Sequence, residues 1–294
     1  MCLIVFDWRL PTPGARAARF TLAANRDEFF SRRATPMDWW HDAPQVLAGR
    51  DLQSGGTWLG LHRDGRFAAL TNYRAAAEKQ LDGPSRGRLV ADFLSGPQRA
   101  PLAYLEQLAR APGINPTFPT FPTFPASAAS SNAMRGFNLL AGNLLEGELA
   151  YFSNRSGQPP RLLPPGCYGL SNALLDTAWP KVQAKKAELQ TLLELPPAGA
   201  EQLDALLTLM QDTGVAPDNM LPDTGLTLER ERALSAAYIV SPGYGTRCTT
   251  ALHCSASGHI DLVERGDSVA DGTRSTSGMV LGRYGFQLEP PIPR

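Results

Sequence analysis

The chain of 294 residues is 43% hydrophobic and carries 28 basic against 28 acidic side chains, a formal net charge of zero. With no long run of either sign, that balance excludes a nucleic-acid electrostatic footprint and a polybasic membrane surface. No apolar stretch reaches the ~18 residues of a membrane span, and the short N-terminal apolar run lacks the basic flank of a signal peptide. Four cysteines (Cys2, Cys167, Cys248, Cys254) in a chain this long do not make a disulfide framework, so a reduced, cytoplasmic setting is expected. No linker separates two self-sufficient halves, and residues 1–294 read as one domain.

The first predicted strand, 2–8, opens on Cys2. Removal of Met1 would leave a thiol and a free α-amine on one residue, with ordinary pKa values of about 8.5 and about 8. The amine is then placed to act as general base for the nucleophile beside it. Pro11, Pro13 and Gly14 turn the chain into a second strand, 19–24, and Asn25-Arg26-Asp27-Glu28 follows at once. The hairpin returns these four polar residues to the side of Cys2. A buried, inert cysteine and a solvated loop are the plain alternatives. Next come Trp39, Trp40 and His41, an aromatic cluster that either lines an apolar pocket or simply packs.

Residues 56–61 and 67–72 pair about an Asp64-Gly65 turn. Ser85 is positioned to cap a helix ending near Leu94, and a second helix covers 102–110. Residues 114–132 contain three Pro-Thr-Phe units followed by small polar residues; proline at every third position forbids helix, and a flexible insertion is expected. Strands 139–143 and 149–152 form a further hairpin, and 168–172 another strand. The spans 178–193 and 201–211 carry the 3.6-residue apolar period of amphipathic helices. Strands are expected again at 236–240, 247–253, 259–263 and 284–288. Blocks of strands separated by blocks of helices predict an α+β fold of antiparallel sheets covered by helices.

Two chemistries are disfavoured by spacing. His253 and Cys254 are adjacent on a predicted strand and face opposite ways, so with Cys248 and His259 they do not converge on a metal, and none is expected. No glycine-rich phosphate loop, nucleotide fingerprint, Gly-x-Ser-x-Gly elbow or haem-attaching Cys-x-x-Cys-His is present.

Met1-Cys2 together with the run from Ala23 through Asn25-Arg26-Asp27-Glu28 to Pro36 resembles the NRDE-motif family, also called the transport and Golgi organisation family. Further matches are Gly56-Thr57-Trp58-Leu59-Gly60, Leu70-Thr71-Asn72-Tyr73-Arg74, Ser85-Arg86-Gly87, Gly169-Leu170-Ser171-Asn172 and Tyr244-Gly245-Thr246-Arg247. They run in order from residue 1 to about residue 265. The resemblance implies the fold of N-terminal-nucleophile hydrolases such as bile-salt hydrolase and penicillin V acylase, a four-layer αββα sandwich of two mainly antiparallel sheets. It also implies roles. Cys2 is the nucleophile, Asp27 the carboxylate that holds the α-ammonium or thiol, Asn72 and Asn172 the oxyanion donors, and Arg247 a guanidinium that favours the thiolate. Asn25, Arg26 and Glu28 are ligand-binding candidates beside them.

One position departs from the related hydrolases. They carry an arginine directly before this asparagine, where the chain has Ala24. Residues 24 and 26 share a face of an extended segment, so Arg26 either replaces that charge or pairs with Glu28. Two functions follow as expectations. The first is a linear-amide hydrolase acting on a small acylated molecule through Cys2, with no cofactor required. The second is a carrier that uses the same cleft without turnover, with haem or an acyl lipid as cargo.

Overall fold

The computed structural model describes residues 2–15, 19–75, 84–114, 134–195, 199–266, 269–270, 273–274 and 279–290. Apart from Ile114, the Pro-Thr-Phe segment lies outside them. In chain order the strands of the first half are β1 (Cys2–Arg9), β2 (Arg19–Phe29), β3 (Ala34–Trp39), β4 (Val46–Asp51), β5 (Leu59–His62) and β6 (Arg66–Asn72). Helices α1 (Gly87–Ser95) and α2 (Pro101–Arg110) follow, then β7 (Phe137–Asn143), β8 (Glu148–Ser153), β9 (Arg161–Leu162) and β10 (Gly166–Leu170). Helices α3 (Pro180–Glu194), α4 (Ala200–Leu209) and α5 (Leu228–Ser235) precede β11 (Val240–Ser241), β12 (Tyr244–Cys254), β13 (His259–Gly266), β14 (Val269–Ala270), β15 (Thr273–Arg274) and β16 (Met279–Gln287).

Fourteen of the strands build two seven-stranded antiparallel sheets, and β14 pairs with β15. One has the order β10-β1-β2-β12-β13-β16, with β11 on β12, and the other runs β3 to β9 in sequence order. Alternation along β1 shows why they stack. Ile4, Phe6 and Trp8 point into a core shared with Leu59, Leu61, Phe67 and Leu140 of the second sheet, and the rings of Phe20 and Phe67 meet across it with centroids 4.9 Å apart. Leu3 and Val5 point the other way, to Val182 and Leu189 of α3 and to Leu203, Leu206 and Leu207 of α4. On the outer face of the second sheet, Leu89, Val90 and Leu94 of α1 and Leu105 of α2 cover Ala68, Leu70, Leu139 and Ala150. The result is the α+β, four-layer αββα sandwich. Among the described residues no helix is long and apolar enough to cross a membrane.

Several local expectations shift. The second strand does not stop at residue 24: it runs to Phe29, so the Asn25–Glu28 motif lies on a strand. It can, because each inward polar side chain finds partners on β12 or in the helical layer. Residues 236–240 are not a strand, and only Val240–Ser241 pairs. The carbonyls there go to side chains instead: Ala236 accepts from Lys181 Nζ at 3.5 Å, and Ala237 from Asn25 Nδ2 at 2.8 Å. Ser85 does not cap α1 with its side chain; its carbonyl accepts the Arg88 N–H at 3.2 Å. Trp39 packs edge-on to Phe286, and Trp40 gives its indole N–H to the Ala48 carbonyl at 2.9 Å, so the aromatic pair is packing.

Candidate active site

The site forms where β1, β2 and β12 run side by side. Cys2 pairs with Arg26 across β1 and β2, and Arg26 pairs with Cys248 across β2 and β12. Paired residues share a face, which in this sheet is the face turned to the second sheet. The three side chains therefore line one cavity of about 530 Å³ that opens between the sheets. Between Thr246 and Cys248 the register slips by one residue, making Arg247 the extra residue of a β-bulge. Bulges re-aim side chains next to functional sites. Here the bulge turns Arg247 into the cavity wall, where Nη1 donates to the carbonyls of Phe29 at 3.0 Å and Arg32 at 2.9 Å.

From the other side, the register of β10 on β1 (Ile4 with Leu170), carried two residues further, brings Asn172 beside Cys2. The Ser171 hydroxyl donates to the Cys2 carbonyl at 3.0 Å, and Asn172 Nδ2 donates to the Asn72 carbonyl at 2.9 Å. The two asparagines thus meet across the two sheets. Asn72 lines the cavity, whereas Asn172 is fully buried beside it. Thr71, Asn138 and Tyr151 brace this junction through a hydrogen-bonded chain that reaches the backbone of Ser171, Ala173 and Leu175.

Alternation splits the Asn25–Glu28 motif. Arg26 and Glu28 face the cavity with Cys2. No ion pair joins them among the described residues: Glu28 approaches Arg32 at 4.0 Å and accepts the Phe29 N–H. Asn25 points to the helical side, where Nδ2 donates to the carbonyls of Met210 and Ala237, both at 2.8 Å, and Oδ1 accepts from Thr249 at 2.7 Å. Asp27 is buried on that side too, accepting from the Thr246 hydroxyl at 2.7 Å.

Burial pushes the Cys2 thiol up and the Asp27 carboxylate adds to this; the Arg26 guanidinium and the Asp27 N–H act against it. Among the cavity guanidiniums, that of Arg26 acts on the thiol. Burial also raises the Asp27 carboxyl. Behind it, burial brings Lys181 down to about 8 while Asp27 opposes that shift.

Lys181, Glu264, Arg74 and Glu231 were not anticipated. Lys181, in the first turn of α3, donates to the Leu234 carbonyl at 2.9 Å. A lysine there opposes the helix dipole, and that was its trace in the sequence. Glu264 continues the inward series Ile260, Leu262 on β13, an acid at an apolar position, and its Oε1 accepts the Met37 N–H from the second sheet at 2.7 Å. Arg74 and Glu231 form a buried pair at 2.6 Å; Arg74 closes the Leu70–Arg74 motif, whereas Glu231 has no local signature.

Compared with known proteins, residues 1–267 match Transport and Golgi organisation 2. The chain belongs to the Transport and Golgi organisation 2 family. It is 36% identical over 290 residues to the Transport and Golgi organization protein 2 homolog of Bos taurus, covering 93% of this chain and 96% of that protein. The Homo sapiens homolog is 34% identical, with 90% and 92% covered. Among solved structures, a Caenorhabditis elegans N-acylethanolamine-hydrolyzing acid amidase ortholog superposes with a TM-score of 0.44 at 9% identity, covering 85% of this chain and 92% of that one. The C2A mutant of conjugated bile acid hydrolase from Clostridium perfringens gives 0.45 at 9% identity, with 99% of each chain covered. Within the Transport and Golgi organisation 2 family, the motif that begins at Asn25 is thus divided in this chain: alternate residues serve the cavity and the helical layer.

Proposed function

We propose that this chain is an amidohydrolase that cleaves a small acylated amide through Cys2. One observation carries the reading: a cysteine at the very start of β1 turns its sulfur into a cavity between the sheets, with Arg26 and Asn72 in the same wall. Excision of Met1 frees the Cys2 α-amine as base. The sulfur then bonds to the amide carbon, and the thiol proton passes by way of the amine to the leaving nitrogen as the C–N bond breaks. Water cleaves the thioester, giving a carboxylic acid and the thiol again. Asn72, in the cavity wall, supplies an amide N–H to the oxyanion at about 3 kcal/mol, while Asn172, the other candidate donor, holds the Asn72 carbonyl. No cofactor enters these steps.

A second reading follows from the thiol itself. Burial raises the Cys2 thiol pKa, which works against a thiolate nucleophile and favours use of the cleft as a carrier site for an acyl lipid or haem. Turnover of N-acyl amino acids and N-acylethanolamines by wild type and Cys2→Ala separates the two, with intact mass to establish the N-terminus. The hydrolase requires Met1 to be absent and Cys2→Ala to be inactive while still binding. Turnover that survives Cys2→Ala unchanged overturns it. Saturable haem or acyl-CoA binding, without cleavage of any amide, decides for the carrier.

A further inference from the structure

The cavity over Cys2 is walled by six arginines, an unusual concentration in a chain with no net charge. They come from different elements: Arg26 from β2, Arg32 from the turn after it, Arg50 from β4, Arg86 and Arg135 from the segments leading into α1 and β7, and Arg247 from the bulge. Two are spoken for by carboxylates. Arg32 meets Asp51 at 2.5 Å, and Arg50 meets Asp42 at 2.6 Å. Arg86 reaches the Gly136 carbonyl at 2.9 Å, next to Arg135, just as Arg247 is held by the carbonyls of Phe29 and Arg32. For Arg26 and Arg135 no ion pair is formed among the described residues.

The acids of the same wall have partners of their own. Asp51 holds Arg32, Glu264 takes the Met37 N–H from the opposite sheet, Asp27 takes the Thr246 hydroxyl, and Glu28 takes the Phe29 N–H. Even with Asp42 on Arg50 counted beside the four carboxylates of the wall (Asp27, Glu28, Asp51 and Glu264), six guanidiniums face five carboxylates, an excess of positive charge. Apolar side chains share the lining, among them Trp58, Leu70 and Leu281. About 530 Å³ is the size of a small-molecule site. A guanidinium fork matches the two oxygens of a carboxylate or phosphate.

We propose that this cavity takes an amphiphilic anion, its carboxylate or phosphate held by Arg26 and Arg135 and its apolar body laid over Trp58, Leu70 and Leu281. For the hydrolase, which this inference deepens and on which its catalytic part rests, the substrate class is an amide that bears an anionic group, such as an N-acyl amino acid. The anion site itself is tested by binding alone.

In the Cys2→Ala protein, calorimetric titration compares N-dodecanoylglycine and dodecyl phosphate with the neutral N-dodecanoylglycinamide. At least one anion should bind about tenfold or more tighter than the neutral amide, the range of a charge-assisted hydrogen bond, and added salt should erode the difference. Arg26→Gln and Arg135→Gln should each remove most of the preference, while Arg110→Gln on the surface of α2 leaves it intact. Arg135 is only half-buried, so its variant serves if Arg26→Gln disturbs the sheet, and circular dichroism checks both. Equal affinity for charged and neutral ligands, or a preference that survives both cavity substitutions, overturns the proposal. Failure of the hydrolase reading looks different: N-dodecanoylglycine binds with the expected preference, yet wild type never cleaves it. Conversely, equal binding of acid and neutral amide by the Cys2→Ala protein, with both cleaved by wild type, keeps the hydrolase and removes the anion site.

Discussion

Glu231→Gln removes the anion from a pair held away from water. Arg74 Nη1 donates to Glu231 Oε2 at 2.6 Å, and the two side chains are only 5% and 4% exposed. The other carboxylate oxygen accepts the Thr224 N–H at 3.2 Å and the Thr224 hydroxyl. Arg74 also lies over the Trp179 ring, 4.6 Å from its centroid, and gives its backbone N–H to the Asn172 carbonyl at 2.7 Å. Glutamine keeps the shape and an acceptor, so what is lost is the charge that justifies a buried guanidinium. Breaking a buried pair from one side costs about 3–5 kcal/mol, because the remaining charge stays desolvated. The Trp179 face and the retained amide oxygen place this case at about 3 kcal/mol. At about 2 °C per kcal/mol for a chain of this size, Tm should fall by about 6 °C. The double change Arg74→Met with Glu231→Leu removes both charges and should cost less than the sum of the two single changes by at least about 1.5 kcal/mol. Urea unfolding followed by tryptophan fluorescence, at constant m-value, measures all five proteins: wild type, Glu231→Gln, Arg74→Met, Glu231→Leu and the double variant. Additive costs, or a loss below about 1 kcal/mol for Glu231→Gln, would mean that the pair behaves as a solvated surface bridge and would refute the reasoning.

Lys181 offers a test by pH. Its folded pKa is lowered from 10.5 to about 8, so the unfolded chain binds the extra proton between those values, and stability from this group rises with pH across that window. The contribution is full above about 10.5 and gone below about 8. Wild type minus Lys181→Met should therefore gain on the order of 3 kcal/mol over the window, and parallel stability curves would contradict it. Thr246→Val strips the hydroxyl that Asp27 Oδ1 accepts at 2.7 Å and that takes the Ile239 N–H at 2.8 Å. It should destabilise by about 1–3 kcal/mol. Because that hydrogen bond holds the Asp27 carboxyl down, the acid limb of any turnover should move to higher pH; an unmoved limb argues against Asp27 as a functional carboxylate. Gly56→Ala sets a methyl 2.4 Å from the Gly87 carbonyl carbon and 2.7 Å from the Arg88 nitrogen, both backbone atoms at the cavity rim. Chemical denaturation should show a loss of about 1–3 kcal/mol, and a neutral substitution would show that α1 moves freely.

The sequence by itself determined the hairpin and its consequence. Two apolar runs joined across Pro11, Pro13 and Gly14 pair antiparallel, and that pairing alone carries Arg26 to the side of Cys2. Alternation then assigns Arg26 and Ala24 to one face and Asn25 and Asp27 to the other, although nothing local says that the polar residues continue the strand. Their extension to Phe29 depends on β12, whose Thr246 and Thr249 satisfy Asp27 and Asn25 from 219 and 224 residues away. Only the tertiary structure decided which strand became that neighbour, and so only it placed the bulge that aims Arg247. The same holds for Lys181 behind Asp27, for Glu264 reaching Met37 across the sheets, and for the arginines gathered from both sheets around one cavity. Each is a charged or polar group whose partner lies far along the chain. Periodicity records which face a side chain takes within its own strand or helix; what lies opposite that face is set by how the layers stack.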